Sequence, residues 1–123
     1  MKAHERLLKY VSYRTPSDEN SETSPSSQCQ FSLAHALVDE LKELGVEDAA
    51  CDEYCYVYGH IPATPGKEHV TAIGFCSHMD TVSDYCDHDA NPQIIENYDG
   101  RVVKLGDSGL VLDPEVFPHL KDF

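Results

Sequence analysis

The stretch VTAIGFCSHMDT, residues 70–81, contains the features that decide the fold and indicate the chemistry. Its first seven residues, Val70–Cys76, are nearly all apolar, a pattern that predicts a β-strand buried on both faces. His78 and Asp80 are two residues apart and therefore project from the same side of an extended backbone. Because they follow the predicted strand, we expect them at the carboxyl edge of a sheet, where α/β proteins bind ligands.

A histidine and an aspartate in this position suit a metal site. A neutral imidazole binds zinc well, and a nearby carboxylate fixes the tautomer of the ring and raises its basicity. His78 is therefore a candidate zinc ligand, and Asp80 a candidate partner of its ring. From spacing alone, a polar strand terminus without a metal remains an open alternative, because His-x-Asp is a short motif.

Two helices are predicted ahead of this stretch. Residues 2–12 place Leu7 and Leu8 on one side of a short helix. A polar loop, Tyr13–Ser27, separates it from a longer helix over Gln28–Leu44. Ser27 is predicted to cap this longer helix, with Gln30 completing a capping box. The apolar stripe of the longer helix consists of Ala34, Leu37, Val38, Leu41 and Leu44.

Short strands are predicted on both sides of the central stretch, together with a C-terminal helix start. The predicted strands are Asp48–Asp52 and Tyr56–Ile61, joined by a turn at Glu53–Cys55, and Val102–Leu105 and Leu110–Leu112, joined by the turn Gly106–Gly109. Asp113 and Pro114 are typical of the first turn of a helix. A helix followed by a buried strand favours an α/β layer over an all-β barrel.

Length and composition limit the classes of function. The 123 residues make at most one domain, and 22 acidic residues against 9 basic ones give a net charge of −13. This charge argues against binding nucleic acid, because neutralising phosphates requires Lys and Arg. No apolar run approaches membrane-spanning length and no signal peptide is evident. With five cysteines, an odd number, the sequence predicts a reducing, cytoplasmic compartment.

Rival site motifs are weaker. Asp84, Asp87, His88 and Asp89 surround Cys86, but this cluster lacks the glycine and terminal glutamate of a calcium loop, so a solvated loop is favoured. Cys51 and Cys55 are too widely spaced for the common zinc knuckle and are interpreted as buried or edge thiols. His35 is interpreted as a flank residue of the longer helix.

Several segments resemble peptidase T, the bacterial tripeptide aminopeptidase family. They are SDENSET (17–23), GFCSHMDT (74–81), PQIIENYDG (92–100), KLGD (104–107) and DPE (113–115) in front of Phe117-Pro118. The segment 92–100 is specific because it is not a general metal motif. The resemblance covers almost all 123 residues, whereas the family is several times longer, so it implies an N-terminal portion only.

The resemblance implies a zinc exopeptidase-like α/β catalytic domain with a central, mostly parallel or mixed sheet flanked by helices, of which residues 1–123 are the first part, without a second domain. It implies two zinc ions per complete enzyme and tripeptide substrates. His78 corresponds to a ligand of one zinc, and Asp80 to the catalytic carboxylate that orients its imidazole. The other ligands and the general base of the family are expected after residue 123.

Three expectations follow from this resemblance. The chain by itself is expected neither to hold two zinc ions nor to hydrolyse peptides, and a non-catalytic acidic interaction module is the alternative function. Self-association through an exposed sheet edge is expected if strands lack their partners. Relatives commonly carry a glycine in the turn where this chain has Tyr54 and Cys55, so a left-handed turn there would be either strained or replaced by another conformation.

Overall fold

A computed structural model describes residues 1–85 and 89–122. The chain forms two compact units, Met1–Pro92 and Gln93–Phe123. Both contain only short elements, and the first combines helices with strands, so the fold class is mixed α/β. Within the described ranges no helix is long and apolar enough to cross a membrane.

The first unit is built around its two helices. Helix α1 spans Ala3–Tyr10 and α2 spans Gln30–Glu43, which confirms both predicted helices to within one or two residues at each end. The cap of α2 differs from the prediction. Cys29, and not Ser27, is the N-cap residue, and its side chain makes no capping hydrogen bond. The N–H of Gln30 donates to the backbone carbonyl of Ser27. The Gln30 side chain donates instead to the carbonyl of Pro16.

A small antiparallel hairpin packs on α2. Strand β1 is Ala50–Cys51 and β2 is Val57–Tyr58, so both predicted strands exist in shortened form. Val38, Val46 and Ala49 form the buried cluster, and Leu41, Cys51 and Val57 pack against it. Burial of these apolar side chains is the main stabilising contribution to this unit.

Of the two outcomes expected for a hairpin turn without a glycine, the structure has the strained left-handed one. Cys55 adopts φ +67°, a left-handed conformation that costs free energy for any residue with a Cβ atom. Asp52 stabilises the turn because its Oδ1 accepts hydrogen bonds from the N–H groups of Tyr54, at 3.0 Å, and Tyr56, at 2.9 Å.

The prediction of a buried strand at Val70–Cys76 is wrong for this structure. The segment is not part of any strand among the described residues, and Ile73 and Phe75 are 81% and 96% exposed. A strand buried on both faces requires hydrogen-bonded neighbours and covering helices. Neither of the two small sheets of the described chain supplies them, since each pairs only its own two strands. A central sheet is therefore not formed within these residues.

The second unit begins at Gln93 and contains one hairpin. Strand β3, Val103–Lys104, pairs antiparallel with β4, Val111–Leu112, as the sequence predicts. An α-helix starting at Asp113 does not form. Instead, the carbonyl of Asp113 accepts from Phe117 in a single turn, and a short 3-10 helix follows at Pro118–Lys121. Pro118 lacks an N–H donor, so the hydrogen-bond pattern begun at Asp113 cannot continue through it.

Candidate functional site

The Asp80 carboxylate lies at the centre of a three-residue hydrogen-bonded group. Its Oδ1 lies 3.0 Å from Nδ1 of His78, and its Oδ2 accepts a hydrogen bond from the hydroxyl of Ser17. The structure therefore brings the two predicted site residues together on the same side of the backbone. It adds Ser17, which lies 63 positions earlier in the chain.

The backbone holds Ser17 beside Asp80 through an isolated parallel bridge. Pro16 pairs with Thr81, outside any sheet. The N–H of Ser17 donates to the Thr81 carbonyl, and the N–H of Thr81 donates to the Thr15 carbonyl, both at 2.9 Å. These two bonds fix the register of the segment Thr15–Ser17 against Thr81, the residue that follows Asp80. The site is therefore positioned by this bridge and not by the edge of a central sheet.

The bridge is tied in turn to the helical layer. Gln30, the first residue of α2, is buried, and its Nε2 donates to the Pro16 carbonyl at 3.3 Å. Thr15 is 3% exposed, so the start of the bridging segment is enclosed by protein. Through these contacts the position of Asp80 depends on the N-terminus of α2.

Hydrogen bonding favours the ionised form of the Asp80 carboxylate. The Ser17 hydroxyl, and secondly His78, lower the pKa of Asp80, while partial burial opposes this shift. A carboxyl with a lowered pKa is ionised at neutral pH and accepts from the imidazole. The His78 side chain is 83% exposed. With Nδ1 turned toward Asp80, the other ring nitrogen, Nε2, is available to a ligand from solvent.

A groove of about 1060 Å³ adjoins His78. It is bounded by α1, α2, strand β2 and the segment 75–81, and most of its lining is apolar, including Leu7, Leu37, Phe75 and Met79. The charged residues of its lining are Arg6, Arg14, Glu40 and Asp89, of which Arg6 and Glu40 form an ion pair. The imidazole thus stands beside a large apolar concavity of the first unit.

The residues present fit one part of a zinc site. His78 Nε2 can fill one coordination position, and a paired carboxylate is the usual partner of a zinc-bound histidine. Zinc requires about four ligands. No group of three or more His, Cys, Asp or Glu side chains able to hold a metal occurs among residues 1–85 and 89–122. The donor set in this part of the chain is therefore incomplete.

The rival motifs carry little chemistry where the structure describes them. Cys55 is buried, and burial raises the pKa of its thiol to about 11, which keeps it protonated and a poor ligand. This confirms the interpretation of the Cys51–Cys55 pair as buried or edge thiols. His35 is exposed on α2, as predicted for a flank residue. Of the acidic cluster, Cys86, Asp87 and His88 lie outside the described residues.

Ser17 is the site residue that the sequence reasoning missed. It belongs to the segment 17–23, which was identified only for its resemblance to a family. No spacing rule relates it to Asp80, because the contact depends on the long-range bridge between Pro16 and Thr81. The signal available was indirect, since that segment and residues 74–81 both belong to the family resemblance.

The comparison with curated proteins gives one family name. No family model matches the chain. Curated proteins named peptidase T are similar to nearly all of it: the proteins from Bacillus licheniformis and Alkaliphilus oremlandii are each 46% identical over 97% of the chain. The protein from Caldanaerobacter subterraneus is 47% identical over 99%. The resemblance drawn from the motifs is thereby confirmed.

The coverage of the relatives is unequal. The chain spans only about 30% of the length of the curated relatives it matches. Such a match is consistent with an N-terminal portion of peptidase T.

Proposed function

Because the chain is related to peptidase T along almost its whole length, we propose that it contributes one zinc ligand and its supporting carboxylate to a zinc-dependent aminopeptidase. This enzyme releases the N-terminal residue of tripeptides. In this proposal His78 is the zinc ligand through Nε2, and Asp80 is the catalytic carboxylate that orients the ring. The observation that carries the proposal is the contact of 3.0 Å between Asp80 Oδ1 and His78 Nδ1.

The roles of these residues follow from their hydrogen bonds. Asp80, ionised at neutral pH, accepts a hydrogen bond from the Nδ1–H group of His78, so the neutral ring keeps its lone pair on Nε2. The negative charge also stabilises the imidazole when a cation is bound at Nε2. When bound, zinc would lower the pKa of a coordinated water and polarise the peptide carbonyl.

A complete site requires further protein. One imidazole leaves three of four zinc positions without protein ligands. We therefore propose that two zinc ions bind only when residues beyond this segment are present, and that residues 1–123 by themselves do not hydrolyse tripeptides. The same addition would complete a central, mostly parallel or mixed sheet, in which Val70–Cys76 becomes a buried strand of a single catalytic domain.

The second candidate function is a non-catalytic, acidic interaction module that retains part of the peptidase fold. The observations that favour it are the net charge of −13 and the incomplete donor set in the described residues. The two functions differ in one requirement: only the peptidase needs His78 Nε2 free and Asp80 ionised.

Two further properties belong to the proposal. The exposed segment 70–76 would cause self-association of the 123-residue chain, because its described backbone N–H and C=O groups from Thr71 to Cys76 make no backbone hydrogen bonds. The cytoplasm is the proposed compartment. The four cysteines that the structure describes, Cys29, Cys51, Cys55 and Cys76, are free thiols, which suits a reducing environment.

The experiment that tests the function compares variants of the protein expressed from its full reading frame. Zinc-dependent release of the N-terminal residue from a tripeptide is measured for the parent protein, His78→Ala and the control His69→Ala, which changes an exposed histidine outside the site. We expect activity in the parent and the control and its loss in His78→Ala. Equal activity of His78→Ala and the parent would contradict the proposal, and absence of activity in the parent would favour the interaction module.

A further inference from the structure

The Asp80 carboxylate is held at both of its oxygens. His78 Nδ1 lies 3.0 Å from Oδ1, and the Ser17 hydroxyl donates to Oδ2. The terminal torsion of an aspartate is broad, so a single hydrogen bond leaves the carboxylate plane loosely defined. The side chain of Asp80 is 45% exposed, so water competes for any oxygen that lacks a protein donor. A second, fixed donor therefore limits rotation of the carboxylate away from His78.

Ser17 is well suited to be this fixed donor. Its own N–H is bonded to the Thr81 carbonyl at 2.9 Å, next to Asp80 in the chain. The preceding residue, Pro16, has a restricted φ, and its carbonyl accepts from the buried Gln30 side chain. Donor and acceptor are thus held by the same backbone bridge, and little conformational entropy is lost when the hydroxyl bonds to the carboxylate.

We propose that Ser17 is the positioning residue of the His78–Asp80 pair: its hydroxyl fixes the Asp80 carboxylate so that His78 keeps its proton on Nδ1 and presents Nε2. The consequence for zinc rests on the proposed function, whereas the tautomer of His78 is a property of the metal-free chain. A role of this kind acts on the orientation of the imidazole and not on the substrate.

The test measures the tautomer of His78 directly. Long-range 1H–15N spectra of the metal-free 123-residue chain, recorded near pH 8 where an ordinary imidazole is neutral, give the ratio of the Nδ1–H to the Nε2–H form. The parent chain is expected to favour Nδ1–H. Ser17→Ala is expected to lower the ratio by about threefold, the size of a modest net hydrogen bond. Ser17→Thr, which keeps the hydroxyl, should restore it.

Controls separate positioning from a general effect on structure. Ser77→Ala removes a hydroxyl that lies 3.5 Å from the His78 carbonyl oxygen and does not contact Asp80 in the described hydrogen bonds. This variant should leave the tautomer ratio of His78 unchanged. If the Ser17→Ala chain does not fold, as shown by loss of the dispersed spectrum, Ser17→Cys replaces it in the comparison. A thiol has nearly the same shape as the hydroxyl but is a weak hydrogen-bond donor. A Ser17→Cys ratio equal to that of the parent overturns the proposal.

Two other outcomes also overturn it. An unchanged ratio in a folded Ser17→Ala chain means that Asp80 needs no second donor. An unchanged ratio in Asp80→Ala means that the pair itself does not set the tautomer. Failure of the proposed peptidase function is recognised separately, because it is read from zinc-dependent hydrolysis and leaves the tautomer ratio of the metal-free chain as it is.

Discussion

The Arg6 guanidinium and the Glu40 carboxylate form an ion pair that joins α1 to α2 across 34 positions of sequence. Lys9 reaches the other oxygen of the same carboxylate at 3.1 Å. Glu40 is only 7% exposed, whereas none of the residues of α1 is buried. The attachment of α1 to the first unit therefore depends strongly on this one acidic side chain.

Glu40→Gln is expected to destabilise the first unit at neutral pH. The variant removes the charge that pairs with Arg6 and Lys9 but keeps the shape of the side chain. Thermal unfolding followed by circular dichroism should show a lower midpoint than in the parent. Glu43→Gln, an exposed change on the same helix, is the matched control and should leave the midpoint unchanged. Equal midpoints for Glu40→Gln and the parent would show that α1 is held by other contacts.

The same pair predicts a pH dependence of stability. The hydrogen bond from Arg6, and secondly that from Lys9, lowers the pKa of Glu40 in the folded chain. The pKa of a glutamate in an unfolded chain is about 4.3. A carboxyl with a lowered folded pKa stabilises the fold fully above its unfolded pKa and loses this contribution as pH falls through the folded value. The difference in midpoint between parent and Glu40→Gln should therefore be largest near pH 7 and shrink below about pH 4. A difference that grows on acidification would contradict this.

Gly59→Ala is expected to destabilise the hairpin that packs on α2. A Cβ atom at Gly59 would lie 2.7 Å from Cγ1 of Val46, a member of the buried cluster. Valine is stiff at χ1, so relief of this contact requires movement in the core, at a cost of about 1–3 kcal/mol. Gly74→Ala, where a Cβ meets no atom within 4 Å, is the control for adding a methyl group. Urea unfolding should separate the two variants.

Asp80→Asn is expected to weaken zinc binding at His78. The amide keeps the size of the carboxylate but removes the charge that supports the imidazole. Changes to the supporting partner of a metal-bound histidine typically lower metal affinity by roughly 10- to 100-fold. Isothermal titration with zinc on the protein from its full reading frame measures the loss. Asp99→Asn, which removes the same charge at an exposed residue away from the site, serves as the control. Equal affinities of Asp80→Asn and the parent would remove Asp80 from the metal site.

Self-association of the 123-residue chain is expected to depend on Phe75. This side chain is 96% exposed on an extended segment without strand partners among the described residues. Sedimentation of the parent should give a mass above that of the monomer, and Phe75→Glu should shift it toward the monomer. Ile61→Glu adds the same charge at an isolated apolar residue that is 80% exposed and should have no such effect. A monomeric parent at high concentration would exclude the proposed association.

Local sequence patterns predicted the elements whose stabilising contacts are close in sequence. Helix α2 and the turns predicted at Glu53–Cys55 and Gly106–Gly109 are stabilised by hydrogen bonds between residues a few positions apart. The left-handed Cys55 was one of two outcomes that the resemblance implied, because relatives commonly carry a glycine in this turn. In such elements intrinsic preference and packing agree.

Two of the predictions that failed, the strand Val70–Cys76 and the capping box at Ser27, involve contacts distant in sequence. The run Val70–Cys76 has the composition of a buried strand, but composition cannot supply the neighbouring strands that bury it. Ser27 was a reasonable cap by residue type, yet the Gln30 side chain that would complete its box is bonded to Pro16 instead. His78 and Asp80 were predicted as a pair because they are two residues apart. The contact of Ser17 with Asp80 could not be predicted from local spacing, because the two residues are 63 positions apart.

The bridge between Pro16 and Thr81 makes assembly of the site a late event in folding. Closing a loop of this length costs more chain entropy than forming either hairpin, and slow folding accompanies contacts of large sequence separation. The helices and the Asp52 turn require the closure of much shorter loops, so the orientation of the imidazole depends on a more costly step than they do. During synthesis on the ribosome, the arrangement around Asp80 cannot exist until the residues through Thr81 have left the exit tunnel.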